Sequence, residues 1–201
     1  MGVLLDRLTR IFEEGHGGQL PELRTDAAFA PLGEMRPAAV LIGVTERAEP
    51  GVLFTHRPLD MRQHAGQVAF PGGKLDPGED AITAALRETH EELGINPSLV
   101  SVIGQTDRFV TGTGYDITPV LGLMPADLPI EPNPAEVSGW FEAPLRYVLD
   151  PANRVRKQAL YRGLRREYTE IVWEGHRIWG VTAAIIENLS RRLAWEGLID
   201  G

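Results

Sequence analysis

The stretch GKLDPGEDAITAALRETHEELGI, Gly73–Ile95, decides the reading of the chain. Asp76-Pro77-Gly78 supplies a turn, and a helix follows that Gly94 ends in the position of a C′ glycine. Ile82, Ala85, Leu86, Thr89 and Leu93 recur at helical spacing and form the buried stripe. At about 100° per residue, Glu88, Glu91 and Glu92 fall together on a different face.

Carboxylates that close repel one another unless something neutralises them. Mg²⁺ or Mn²⁺ does so, because a hard cation prefers carboxylate oxygens, water and substrate phosphates. An acidic helix face alone is more often merely solvated. Here Phe70-Pro71-Gly72-Gly73 runs directly into the helix, and glycine lets backbone pass close to a ligand or metal. Glycine loop, turn and acidic helix in that order point to a metal-pyrophosphate site.

The same stretch resembles the signature of the Nudix hydrolases: G, five residues, E, seven residues, then R-E-U-x-E-E-x-G-U, with U aliphatic. Gly73, Glu79, Arg87, Glu88, Glu91, Glu92, Gly94 and Ile95 match, and Thr89 departs at the first U. Upstream, Leu53, Thr55, Arg57, Arg62, Gly66 and Phe70-Pro71-Gly72-Gly73 resemble the extra motif of the coenzyme A pyrophosphatase branch. Phe54 and Pro58 depart from that motif.

The resemblance implies an α/β/α sandwich with a mixed sheet over roughly residues 36–189. It implies metal-dependent hydrolysis of coenzyme A or its thioesters to 3′,5′-ADP and 4′-phosphopantetheine species. Glu88, Glu91 and Glu92 would bind the metal and carry the chemistry, with Glu88 as the base. The Gly73 carbonyl is a further candidate ligand. Glu136 is the candidate for the extra carboxylate that these enzymes often recruit from outside the signature. Arg87 and Glu79 are expected to pair in support of the loop. Arg57 and Arg62 suit phosphate recognition, since a guanidinium is permanently charged and bidentate. Tyr115, in a segment that resembles the same branch near its substrate pocket, is read either as a base-stacking ring or as loop packing. His64, Gln67 and Lys74 are weaker candidates. Other readings stay open: a pyrophosphatase for ADP-ribose, NADH or dinucleoside substrates, or a module that binds a nucleotide without cleaving it.

Composition sets the outer limits. The chain has 201 residues, 43% hydrophobic and 24% charged, which suits one globular domain. A net charge of −8 leaves no basic surplus for a nucleic-acid duplex. With no cysteine there is no disulfide, thiolate ligand or thiol nucleophile. No apolar run reaches the roughly 18 residues of a membrane span. The expectation is a cytoplasmic enzyme with a small-molecule nucleotide substrate, no membrane partner and an open oligomeric state.

Around the central stretch, residues 3–12 read as an amphipathic helix ended by Gly15-His16-Gly17-Gly18 and packed on the domain. Residues 19–36 read as connecting structure. Residues 38–44 and 52–55 read as paired strands, and further strands are expected over 67–70, 99–103, 108–110 and through Val120. The basic run 154–166 reads as a mobile surface loop. A hairpin about Glu174-Gly175 and a closing helix over 180–195 finish the chain.

Overall fold

The protein is described from a computed structural model covering residues 2–20, 22–59, 65–161 and 163–193. Its centre is β1 (Arg36–Glu46), the continuous apolar run, which is buried almost throughout. It runs parallel to β7 (Tyr115–Pro125) along its whole length. On its other side it pairs antiparallel with β2 (Gly51–His56), and near its start with β4 (Gly72–Lys74). β3 (Val68–Ala69) and β8 (Gly139–Pro144) pair with β2, while β5 (Ser101–Gln105) and β6 (Phe109–Val110) pair with β7. The result is a mixed sheet of eight strands among the described residues.

Two apolar layers cover it. The helix α2 (Ala81–Leu93) packs Ala84, Ala85 and Leu93 against Leu41 and Leu53 on one face. On the other face, α1 (Val3–His16), α3 (Leu145–Leu149) and α4 (Val181–Leu193) bury Leu8, Phe12, Val148, Ile185 and Leu189 against Ile42, Phe54 and Leu121. Helices on both faces of a mixed sheet make the α/β/α sandwich. The stripe expected on the last helix (Ala184, Ile185, Asn188, Leu189, Arg192 and Leu193) is buried. Residues 194 and 195 of that expectation lie outside the described residues.

The first helix ends within Gly15-His16-Gly17-Gly18 as expected, at His16. Gly15, still helical, serves packing: a Cβ there would lie 1.7 Å from the backbone oxygen of Arg192, so the glycine lets α1 press against α4. One expectation needs correction. The basic run 154–166 is not a loop. It forms β9 (Val155–Tyr161) and the first residues of β10 (Leu164–Trp173), and with β11 (His176–Trp179) these make a second, antiparallel sheet. Its charges are partly neutralised across strands, with Lys157 and Arg177 both donating to the buried Glu170. Charge density alone conceals such a hairpin, because some of the acids that pair with it, Asp26 and Glu187, lie far off in the chain.

Alanine in place of a helical glycine ordinarily stabilises by about 0.5–1 kcal/mol. Gly15→Ala is expected to do the reverse, lowering stability by about 1–3 kcal/mol through overpacking. Denaturant unfolding of the two proteins checks this, and an unchanged or raised midpoint would contradict the packing role.

Candidate active site

α2 is fixed at both ends by its own sequence. Asp80 caps its start, its Oδ1 accepting from the amides of Ile82 at 2.9 Å and Thr83 at 3.0 Å. Gly94 closes the far end in the left-handed region at φ 70°, donating its amide to the His90 carbonyl. The helix thereby holds a constant register against β1 and presents its acidic face beside β4.

Glu88 packs directly on the glycine strand. A Cβ on Gly73 would fall 2.3 Å from the Glu88 carboxyl carbon, so this contact exists only because residue 73 has no side chain. One turn on, Glu92 is 8% exposed, and its Oε2 is buried with no hydrogen-bond partner among the described residues. Burial foremost, and then the neighbouring Glu88 charge, push the Glu92 carboxyl up to about 8, against relief from the Gly72 amide and Arg57. Glu88 is also raised by burial, with Arg87 opposing.

The third member arrives from a distant loop. Residues 126–138 cross the end of α2, where the amides of Glu131 and Asn133 donate to the carbonyls of Leu93 (2.9 Å) and Glu92 (2.8 Å). These are the carbonyls a helix C-terminus leaves without partners. Asn133 then donates through Nδ2 to Glu136 Oε1 at 3.1 Å. So placed, one oxygen from each of Glu88, Glu92 and Glu136 lies within 4.8 Å of the others.

Glu91 is not in that group. Its Oε2 accepts from Arg87 Nη1 at 2.9 Å, and its side chain is 46% exposed. Arg87 also donates to both oxygens of Glu79 (2.9 and 3.0 Å), to Glu88 Oε1 (2.9 Å) and to the Lys74 carbonyl (3.0 Å). These contacts drive the Arg87 pKa further up and that of Glu79 down.

Arg57 follows β2 directly, half-buried, and its Nε has no partner among the described residues. Its charge reaches Glu92, placing it on the edge of the acidic group. Tyr115 stands elsewhere, at the start of β7 beneath the Arg36 guanidinium, 3.9 Å from ring centroid to Cζ. Lys74 is exposed at the end of β4, and the Gln67 carbonyl accepts from the Arg57 amide. Arg62 and His64 lie outside the described residues. Asn133 was missed by sequence reasoning. Its signal is an Asn flanked by Pro132 and Pro134, a turn former in a stiff loop, which becomes informative only once the loop is seen on the helix end.

Comparison with known proteins fits this geometry. The NUDIX domain family model matches residues 35–163. The uncharacterized Nudix hydrolase NudL of Escherichia coli strain K12 is 44% identical over 160 residues, covering 79% of this chain and 83% of NudL. Its Shigella flexneri counterpart is 44% identical over 173 residues, covering 85% and 89%. Among solved structures, the Nudix hydrolase RenU of M. smegmatis superposes with a TM-score of 0.50 at 23% identity, covering 63% of this chain and 81% of that one, which speaks for the fold. The chain belongs to the Nudix hydrolases, enzymes that act on pyrophosphate bonds.

Proposed function

We propose that the protein hydrolyses the pyrophosphate bond of coenzyme A or its thioesters, releasing 3′,5′-ADP and a 4′-phosphopantetheine species. The observation that carries the hydrolytic part is the convergence of Glu88, Glu92 and Glu136 beside the side-chain-free backbone at Gly73. Nudix hydrolases use divalent metal ions. The donor set fits Mg²⁺ or Mn²⁺: hard oxygens from several carboxylates, one of them buried and without a partner. A cation held by these residues, with the Gly73 backbone alongside, would screen the diphosphate and acidify a water.

The rest follows from the chain's own groups. Glu92 and Glu136 orient the anionic centre. Glu88 has Oε1 occupied by Arg87, which leaves Oε2 to accept the proton of the attacking water. Arg57, whose charge reaches the edge of the acidic group, is the guanidinium assigned to phosphate oxygens. Glu91 stays in reserve as a further ligand, reached by a rotation that releases Arg87. Arg87 and Glu79 hold the loop against the helix and stay out of the chemistry.

Support for coenzyme A comes from the motif around β2. Phe54, a departure from that motif, is fully buried and stacks between Phe70 (5.1 Å) and Phe141 (5.3 Å). Its departure therefore concerns core packing and does not weigh against the substrate. Leu53 and Thr55 are buried too, so recognition from this motif falls to Arg57 and to Arg62.

A pH dependence follows from Glu92. Its folded-state pKa of about 8 stands above the ordinary glutamate value of 4.5 expected on unfolding. The folded metal-free protein therefore keeps a proton that the unfolded chain releases, and stability falls as pH rises from 4.5 towards 8. Thermal unfolding in chelator is expected to show that decline, Mn²⁺ to offset it increasingly with pH, and Glu92→Gln to flatten it. A decline of the same slope in Glu92→Gln would contradict the assignment.

For activity, Glu88→Gln and Glu92→Gln are each expected to lower kcat by about 10²-fold or more while circular dichroism stays native. Mass analysis of coenzyme A incubated with wild-type protein and either metal is expected to give the two named products. Normal turnover by Glu88→Gln would remove it as base. Preferential cleavage of ADP-ribose would replace the substrate.

A further inference from the structure

Side chains alternate between the two faces along a strand. On β2, Leu53 belongs to the core beneath α2, while Val52 and Phe54 belong to the core on the α4 side. Thr55 therefore shares the α2 face with Leu53. Across the strands, Thr55 pairs with Trp140 of β8 and with Ala69 of β3. These three make one rung on the face that carries the acidic group, with Trp140 at its outer end. The next residue, Phe141, points the other way, into the α4-side core, where it stacks on Phe54 at 5.3 Å and on His176 at 3.8 Å.

Trp140 has no such ring partner among the described residues, and it is 40% exposed. A single exposed aromatic is ordinary on a protein surface. Its surroundings set this one apart. Arg57 stands two residues beyond Thr55, which makes it the diagonal cross-strand neighbour of Trp140, at about 7–8 Å between Cα atoms. The strands stay joined there, with Ser138 Oγ donating to the Arg57 carbonyl at 3.3 Å. The Arg57 charge in turn reaches Glu92. From the other direction, Glu136 precedes Trp140 by four residues, a span of at most ~14 Å in a fully extended chain. One guanidinium thus neighbours both the acidic group and an open indole, all on one face of the sheet.

That order, charge and then flat ring, matches the order of groups along a nucleotide. A guanidinium suits phosphate, and an aromatic face suits a base, because every base has a π-face. Tyr115, the other ring read for stacking, is set aside by its position. Two residues before Ile117 of the α4-side core, it lies on the opposite face, under the Arg36 guanidinium.

We propose that Trp140 stacks on the base of the substrate and gives the site its preference for a nucleotide over a bare sugar phosphate. The assignment rests on the function proposed above and adds the residue that holds the base. Titration calorimetry in Mn²⁺ with adenosine 5′-monophosphate and ribose 5-phosphate, the same sugar phosphate with and without a base, tests it on wild type, Trp140→Leu and Trp140→Phe. Wild type is expected to prefer the nucleotide by about tenfold or more, the scale of one base–aromatic stack. Trp140→Leu, apolar but without a ring, is expected to lose most of that preference and Trp140→Phe to recover it, with the KM for coenzyme A rising and returning in the same order. Equal affinities in wild type, or an undiminished preference in Trp140→Leu, overturns the proposal. Should Trp140→Leu fail to fold by circular dichroism, tryptophan fluorescence decides. Adenosine 5′-monophosphate is expected to quench it in wild type and not in Trp140→Phe, and quenching retained by Trp140→Phe overturns the proposal. Binding is read apart from turnover. A base preference that depends on Trp140, without coenzyme A cleavage, would remove the substrate reading and retain the stack.

Discussion

One guanidinium holds the site together. Arg87 donates at once to the turn before the helix (Glu79), to the glycine strand (the Lys74 carbonyl) and to two carboxylates of the acidic face (Glu88 and Glu91). A planar fork with five donors can span these partners, and a lysine ammonium with three cannot reach them in the same geometry. Because the fork ties β4 to α2, the Gly73 backbone stays against Glu88, and the remaining acids are arranged around that contact. Arg87 also places a positive charge between Glu88 and Glu91.

That neutralisation is incomplete by construction. Glu92 is buried beyond Arg87's hydrogen bonds, and Glu136 is brought over by a loop docked on the helix end. The fold accepts the cost of a buried, raised carboxyl because the apolar face of α2, with Ala84, Ala85 and Leu93 fully buried, fixes the helix regardless. On the proposed reading, these uncompensated carboxylates are the groups that a cation would meet.

Much of this was legible in the sequence because it is local. The helix, its Gly94 end and the acidic face follow from spacing within a single element, and the apolar run of β1 declares a central strand. What spacing cannot supply is convergence. Glu88, Glu91 and Glu92 are equivalent on a helical wheel, yet Glu91 turns to Arg87 while Glu92 turns to the glycine strand. Glu136 stood out only by resemblance, since its place depends on Asn133 bonding to a helix carbonyl far back in the chain. The hairpin of β9 and β10 was hidden because its arginines are balanced by acids such as Asp26 and Glu187, remote in sequence. The packing use of Gly15 was not legible either, because the close approach it permits depends on where α4 lies.

The central claim is that Glu88, Glu92 and Glu136 together form a cation site against the glycine strand. Anomalous diffraction at the manganese edge, from crystals grown with Mn²⁺, tests it most directly. The account predicts a peak in contact with those three carboxylates and beside Gly73. A peak elsewhere, or none at saturating Mn²⁺, would contradict it.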